Sequence, residues 1–184
     1  MKNTCFIISI LSCLVLSAFP ATTNAQHSKW EVTDYKISFK IKNAGFTVHG
    51  TFKGLDAHIN FDEQHPEKAK LEATIDAKSI KTGINMRDND LKEEKYFDVA
   101  HYPVISMNSV SVQKNKEHTY TGRFKLTIKG KTKVISVPFT FTQQNDKGEF
   151  KGSFTVNRLD FGVGTSGFIL ADDADVTITV SVKQ

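Results

Sequence analysis

Cysteine is nearly missing. The chain has two, Cys5 and Cys13, and both fall within the first 13 residues. From residue 26 onward there is no thiol, which excludes a disulfide scaffold, a cysteine-ligated metal centre and a cysteine nucleophile. Proline is scarce at four residues, and eleven glycines in 184 are ordinary, so the chain is neither collagen-like nor low-complexity. Long apolar runs are also lacking: the longest, Cys5 to Phe19, is about 15 residues, short of a comfortable bilayer span. Charge of one sign is not in marked excess. The formal +4, from 24 basic and 20 acidic residues, is too mild to argue for a nucleic-acid partner. What remains is ordinary globular composition, 39% hydrophobic, in a length suited to one domain.

The N-terminal 25 residues read as a secretory signal peptide. Lys2 supplies the positive start, Cys5 to Phe19 the apolar region, and Pro20 the break. Small and polar residues Ala21-Thr22-Thr23-Asn24-Ala25 place cleavage after Ala25. A retained anchor and a lipidated Cys13 are the competing readings. The expected mature domain is residues 26–184, periplasmic or secreted, and large enough to fold without covalent staples.

From residue 35 onward the hydrophobic period is two. Tyr35, Ile37, Phe39 and Ile41 alternate with Lys36, Ser38, Lys40 and Lys42, the pattern of a half-buried strand. Further apolar rows follow: Phe46-Val48-Gly50-Phe52, Leu55-Ala57-Ile59-Phe61 and Leu71-Ala73-Ile75-Ala77. After a central interruption, residues 104–112 form an ambiguous strand. Then come Tyr120-Gly122-Phe124-Leu126-Ile128, Ile135-Val137-Phe139-Phe141, Phe150-Gly152-Phe154-Val156 and Val176-Ile178-Val180-Val182. Short polar turns at 115–117, 130–133 and 145–148 make most connections hairpins. Eight or nine such strands fit an all-β chain, either a two-sheet sandwich or an eight-stranded antiparallel up-and-down barrel. Long, directly connected strands favour the barrel. One short helix is expected over about 85–96, with Asn85 as cap, Leu91 as apolar contact and Asp88 four residues before Lys92. It would cover one barrel end.

An eight-stranded barrel is either just filled by side chains or holds one small ligand. Glycine stands beside phenylalanine on three apolar rows, at Gly50, Gly122 and Gly152. Either the glycines leave room for a chain-like lipid, or neighbouring rings cover them. A ten-residue strand is roughly 33 Å long, and tilted by roughly 40° it spans roughly 25 Å of axis. That length suits an extended hydrocarbon, for which ten buried carbons supply about 8 kcal/mol before ordering costs. Candidate ligand-binding residues are the inward Phe39, Val48, Phe52, Ile59, Ile75 and Phe124, with Leu126, Phe139, Phe141, Phe154 and Val156. Arg158 shares the inward parity, and a buried guanidinium needs a carboxylate or a ligand oxygen. Asp160, Asp88 and Asp98 are its candidate partners, in a structural ion pair or a head-group site.

Other motifs carry less. Gly162-Val163-Gly164-Thr165-Ser166-Gly167 matches G-x-G-x-x-G, but no βαβ unit surrounds it, so a loop at the barrel mouth is expected. The six histidines lack metal-ligand spacing, Asp172, Asp173 and Asp175 read as a solvated acidic loop, and no G-x-S-x-G occurs. No metal, cofactor or catalytic residue is expected.

Five blocks in order over about 150 residues resemble the YceI-like family of exported lipocalin-like proteins, also called polyisoprenoid-binding proteins. The first is Lys42-Asn43-Ala44-Gly45-Phe46-Thr47-Val48 with Gly50-Thr51-Phe52-Lys53-Gly54-Leu55. Ser79-Ile80-Lys81-Thr82-Gly83 leads to Arg87-Asp88 and Leu91, and Tyr96-Phe97-Asp98 to Tyr102-Pro103 and Ser109. Leu126-Thr127-Ile128-Lys129-Gly130-Lys131-Thr132-Lys133 and Asn157-Arg158-Leu159-Asp160-Phe161-Gly162-Val163 complete the set. The resemblance implies an eight-stranded barrel with a helix, a tunnel for a long isoprenoid or similar amphiphile, export, and no enzymatic residues. Arg87, Asp88 and Asp160 become the candidate structural or head-group set. Where the family often carries histidines, this chain reads Lys36-Ile37-Ser38 and Asn89-Asp90, and Met107 replaces a usual aromatic.

The expected partner is thus a long-chain isoprenoid, isoprenoid quinone or other lipid-like ligand. Transient membrane contact and a homodimer stay open, as do two rivals: a small outer-membrane barrel, and an enzyme using Arg158 and Asp88 on a bound amphiphile.

Overall fold

The computed structural model describes residues 29–184, so the signal-peptide reading of residues 1–25 lies outside the described residues. Eight strands follow one another: β1 (Lys29–Asn43), β2 (Phe46–Asn60), β3 (Lys70–Lys81), β4 (Val104–Lys116), β5 (Thr119–Ile128), β6 (Lys131–Gln144), β7 (Lys147–Asn157) and β8 (Leu170–Lys183). Each pairs antiparallel with its sequence neighbour, and β8 returns to β1, closing a barrel of order β1 to β8. The barrel, not the sandwich, is the fold. Closure removes free sheet edges in general, and hairpins supply the connections. In the β1–β2 and β5–β6 turns both central residues have positive φ: Ala44 (50°) with Gly45 (82°), and Lys129 (48°) with Gly130 (71°). That is the hairpin turn whose twist matches its strands.

Two apolar rows of the sequence turn out to be one strand. Phe46, Val48, Gly50 and Phe52 share even parity, whereas Leu55, Ala57 and Ile59 are odd. The switch falls at Gly54, whose φ is +73° and where β2 slips its register against β3. A bulge carries one extra residue, so it reverses which parity faces inward. β1 does the same between Val32 and Asp34 against β8, joining inward Trp30 to inward Ile37.

One end of the barrel is filled. Phe61, just beyond β2, sits at the centre of an aromatic cluster, with ring centroids 5.1 Å from Tyr120, 5.0 Å from Phe141 and 5.3 Å from Phe150. Trp30 packs edge-on to Phe141 at 5.3 Å and donates its indole N–H to the Phe61 carbonyl at 3.0 Å. A second cluster, around Ile37, Phe52, Ile80, Ile105, Val156 and Phe161, lies at the opposite end.

The helix begins where expected but is shorter: α1 spans Asn85–Asp90. Ile84, not Asn85, takes the cap position, and no side chain caps the end. After Asp90 the chain folds back through turns, with the Phe97 N–H on the Leu91 carbonyl and the Val99 N–H on the Lys92 carbonyl. The expected Asp88–Lys92 pair does not form, because Asp88 is 1% exposed and faces β3 instead.

The cluster around Phe61 makes a stability prediction. Phe61→Ala should cost about 3–5 kcal/mol in chemical denaturation. Tyr120→Phe should cost nothing: its hydroxyl is buried without a hydrogen-bond partner among the described residues. Burial, with the charges of Glu63 and Asp62 adding, pushes that hydroxyl's pKa up to about 12, so it stays protonated. A large loss on Tyr120→Phe would show that the hydroxyl has a hidden partner.

Candidate functional site

Beyond the aromatic cluster the barrel is hollow. A cavity of about 540 Å³ runs from that cluster to the α1 end, within the size range of small-molecule sites. Of the side chains expected to face a ligand, Phe39, Val48, Phe52 and Ile59 line it from β1 and β2, and Ile75 from β3. Phe124, Leu126, Phe139, Phe154 and Val156 line it from β5, β6 and β7. Phe141 does not. It faces inward but belongs to the filled end, because alternation fixes the facing of a residue and not its depth along the axis. The lysines Lys36, Lys40, Lys42, Lys53 and Lys125 alternate with these inward rows on the outer face.

The glycines keep this space open indirectly. A Cβ on Gly50 would lie 2.2 Å from the Phe39 ring, and one on Gly122 would lie 2.2 Å from the Phe124 ring. The rings therefore do cover glycine, and by lying back against the wall they leave the centre clear. A side chain at either glycine would push a ring into the lumen.

The mouth is built by three segments. α1 and the turn after it contribute Arg87, Asp90, Leu91 and Tyr96; the start of β2 contributes Val48; the β7–β8 loop and the first residue of β8 contribute Val163 and Leu170. The Ala44 N–H on the Ile169 carbonyl (2.7 Å) and the Gly164 N–H on the Lys95 carbonyl (2.8 Å) tie them together.

Two arginines reach the cavity and differ in what they have left to offer. Arg158, 7% exposed, donates Nε to Ala171 O, Nη1 to Val163 O, and Nη2 to Thr165 O, Leu170 O and Asp172 Oδ1 at 2.9 Å. Its carboxylate is Asp172, and none of Asp160, Asp88 or Asp98. The loop after the 3₁₀ turn Arg158–Phe161 wraps back over the guanidinium, which sequence spacing did not reveal. Asp160 instead faces outward to Lys133 at 3.6 Å. The loop glycines serve this wrap: Gly162 and Gly164 have φ of 69° and 71°, and a Cβ on Gly164 would sit 2.9 Å from Arg158 Nη1.

Arg87 is held on one side only. Its Nε donates to Thr82 Oγ1 (2.7 Å) and its Nη2 to Thr82 O (2.8 Å); Nη1 has no protein partner among the described residues. Thr82 Oγ1 in turn donates to Asp88 Oδ1 at 2.6 Å, which also accepts the Thr82 N–H at 2.7 Å. Arg87 and Asp88 are therefore joined through Thr82 and not as an ion pair. Asp88 itself does not line the cavity. Leu55, Met107, Ile178 and Val180 do, and their inward parity was the available signal. Thr82 carried no such signal.

This geometry defines a class: a small closed barrel, filled at one end, enclosing an apolar chamber with a short polar edge at its mouth. The YceI-like domain model matches residues 22–183, and the chain belongs to that family. A UPF0312 protein of Pseudomonas syringae pv. syringae is 32% identical over 138 residues, covering 71% of this chain and 72% of that one. The crystal structure of Burkholderia cenocepacia BcnA superposes with a TM-score of 0.78 at 27% identity, covering 82% of this chain and 99% of BcnA. A polyisoprenoid binding domain from Saccharophagus degradans shares the fold at a TM-score of 0.64 and 14% identity, covering 84% of this chain and 97% of that one.

The mouth has an acid limit. The Thr82 hydroxyl's hydrogen bond, opposed by burial and aided by the Thr82 N–H and the Lys81 charge, holds the Asp88 carboxyl below its ordinary 3.8. A depressed carboxyl stabilises the fold above its unfolded pKa, and that stabilisation is lost as pH falls through the folded value. Asp88→Asn should lower stability at neutral pH and flatten its fall below pH 3.8. An unchanged acid slope in denaturation curves would assign the effect to another carboxylate.

Proposed function

We propose that this protein is an exported, water-soluble carrier that holds one long apolar chain, an isoprenoid or similar amphiphile, inside its barrel. The carrying observation is the chamber of about 540 Å³ lined almost wholly by aliphatic and aromatic side chains. The tail would occupy the chamber up to Phe139 and Phe150. The head would lie at the mouth, where Arg87 keeps Nη1 for an oxygen ligand, Arg158 being committed to the loop. The name of the Saccharophagus domain, a polyisoprenoid binding domain, supports the ligand class by analogy of fold.

Inward apolar rows with lysines outside argue against the outer-membrane alternative, which needs the reverse. An enzyme built on Arg158 and Asp88 is disfavoured by the engagement of all three nitrogens of the first with the β7–β8 loop and the absence of the second from the chamber wall. Export rests on residues 1–25, with cleavage after Ala25. Contact with a membrane would use the rim: Phe46 (78% exposed), Ile84, Met86 (75% exposed), Phe168 and Ile169 stand on the three segments that frame the mouth. Self-association through the same rim is the competing use, and a concentration-dependent mass without vesicle binding would favour it.

Native mass spectrometry of gently purified protein should show a single lipid adduct. Ala73→Trp, which fills the lumen from β3, should cut uptake of added isoprenoid alcohol by about tenfold or more while folding is retained. An unliganded mass in both proteins, with no uptake on addition, would refute the carrier.

A further inference from the structure

The barrel is closed in order but not along its full height. β6 and β7 pair from Gln144↔Lys147 at the hairpin to Phe139↔Gly152, and the pairing stops there. Residues 131–138 of β6 still pair with β5, and residues 153–157 of β7 still pair with β8. Over that stretch the two strands run side by side in the sequence of the barrel without a ladder.

Pro138 explains where the ladder ends. The Phe141 N–H donates to the His118 carbonyl on the β5 side at 3.1 Å. Successive residues of a strand direct their N–H groups to opposite neighbours, so the even residues of β6 face β7. Continuing the register, Pro138 would be the next donor, to Ser153, and it has no N–H. Proline in a sheet belongs where its N side faces no partner strand. The β7 side chains do not bridge the seam either. Ser153, Thr155 and Asn157 turn to Thr177, Asp175 and Asp173 on β8. The β3–β4 ladder is short as well, from Glu72↔Asn108 to Asp76↔Val104. The break between β1 and β2 differs from the β6–β7 one: these strands are unpaired between Trp30↔Ile59 and Ile37↔Phe52, but the Tyr35 hydroxyl accepts the Gly54 and Leu55 N–H groups there. One break is stitched and the other is left open. The inner lip of the open one is Val137, Phe154 and Val156, all on the cavity wall. Its upper end is spanned by the exposed pair of Lys133 and Asp160 at 3.6 Å.

We infer that the β6–β7 seam above Pro138 is a lateral gate through which an apolar chain passes between the cavity and the outside. Without a ladder to break, the strands part along an apolar lip, so a chain can enter sideways rather than thread end-on past α1. The inference rests on the carrier reading and adds its route.

The test is a cross-link across the seam. In a background with Cys5 and Cys13 changed to Ser, Ser136→Cys with Thr155→Cys is closed by oxidation, or by a short dithiol cross-linker where the strands stand too far apart. Entry and exit of a conjugated polyene fatty acid are followed by stopped-flow fluorescence. Closing the seam should slow both rates by about tenfold or more and leave affinity unchanged, because a gate alters passage and not the bound state. Reduction, or omission of the cross-linker, should restore both. The same chemistry at Lys151→Cys with Thr179→Cys, across the paired β7–β8 ladder, should leave both rates alone. Equal rates with the seam open and closed would overturn the gate while leaving the carrier standing. Absence of polyene uptake by the unmodified protein would remove the carrier reading itself, and the gate with it.

Discussion

The volume inside an eight-stranded barrel is set by strand number and tilt, and side chains must either fill it or leave it hollow. This chain does each at one end. Phe61, Tyr120, Phe141 and Phe150 interlock at 4.4 to 5.3 Å between ring centroids and seal the hairpin end of β6 and β7. Toward α1 the rings of Phe39 and Phe124 lie over Gly50 and Gly122, against the wall. Aromatic side chains thus serve two opposite purposes. Packed against one another they make a floor; seated on glycine they make a smooth lining. The chamber depends on that division.

The polar residues at the mouth follow from the same need. The segments that frame the chamber rest on apolar contacts only in part, through Val99, Phe161 and Val163, and hydrogen bonds fix the rest. Arg158 gathers four backbone carbonyls and Asp172, pinning the β7–β8 loop. Thr82 joins the end of β3 to α1 through Asp88 and Arg87. A buried guanidinium with each of its three nitrogens engaged by protein oxygens is a structural tie. Arg87, by contrast, engages Nε and Nη2 with Thr82 and leaves Nη1 without a protein partner among the described residues. That contrast separates the two arginines more sharply than their similar placement at the cavity.

Alternation made the strands, their facing and the barrel legible in the sequence, and the five blocks made the family legible. Three things were not. Phe141 and Phe139 are two residues apart on one row and both join the aromatic floor, yet only Phe139 also lines the chamber, since period two carries no information on height. The bulge at Gly54 was visible only as a change of parity, which reads equally well as the start of a new strand. The partner of Arg158 depended on how an irregular loop folds back, and Asp172 lies 14 residues away with no periodic relation to it. Backbone rules of the seam sit between these cases: Pro138 is plain in the sequence, but its meaning needs the direction of its neighbours' N–H groups.

The central claim is that the chamber takes an extended hydrocarbon and is of finite length. Its most direct measurement is the affinity of a homologous series of straight-chain alcohols by titration calorimetry. Each added methylene should contribute about 0.8 kcal/mol, roughly a fourfold gain in affinity. The gain should then cease abruptly once the chain reaches the aromatic floor. Affinity indifferent to chain length from the shortest member onward would contradict the account, because it would mean that the hollow is not where the ligand lies.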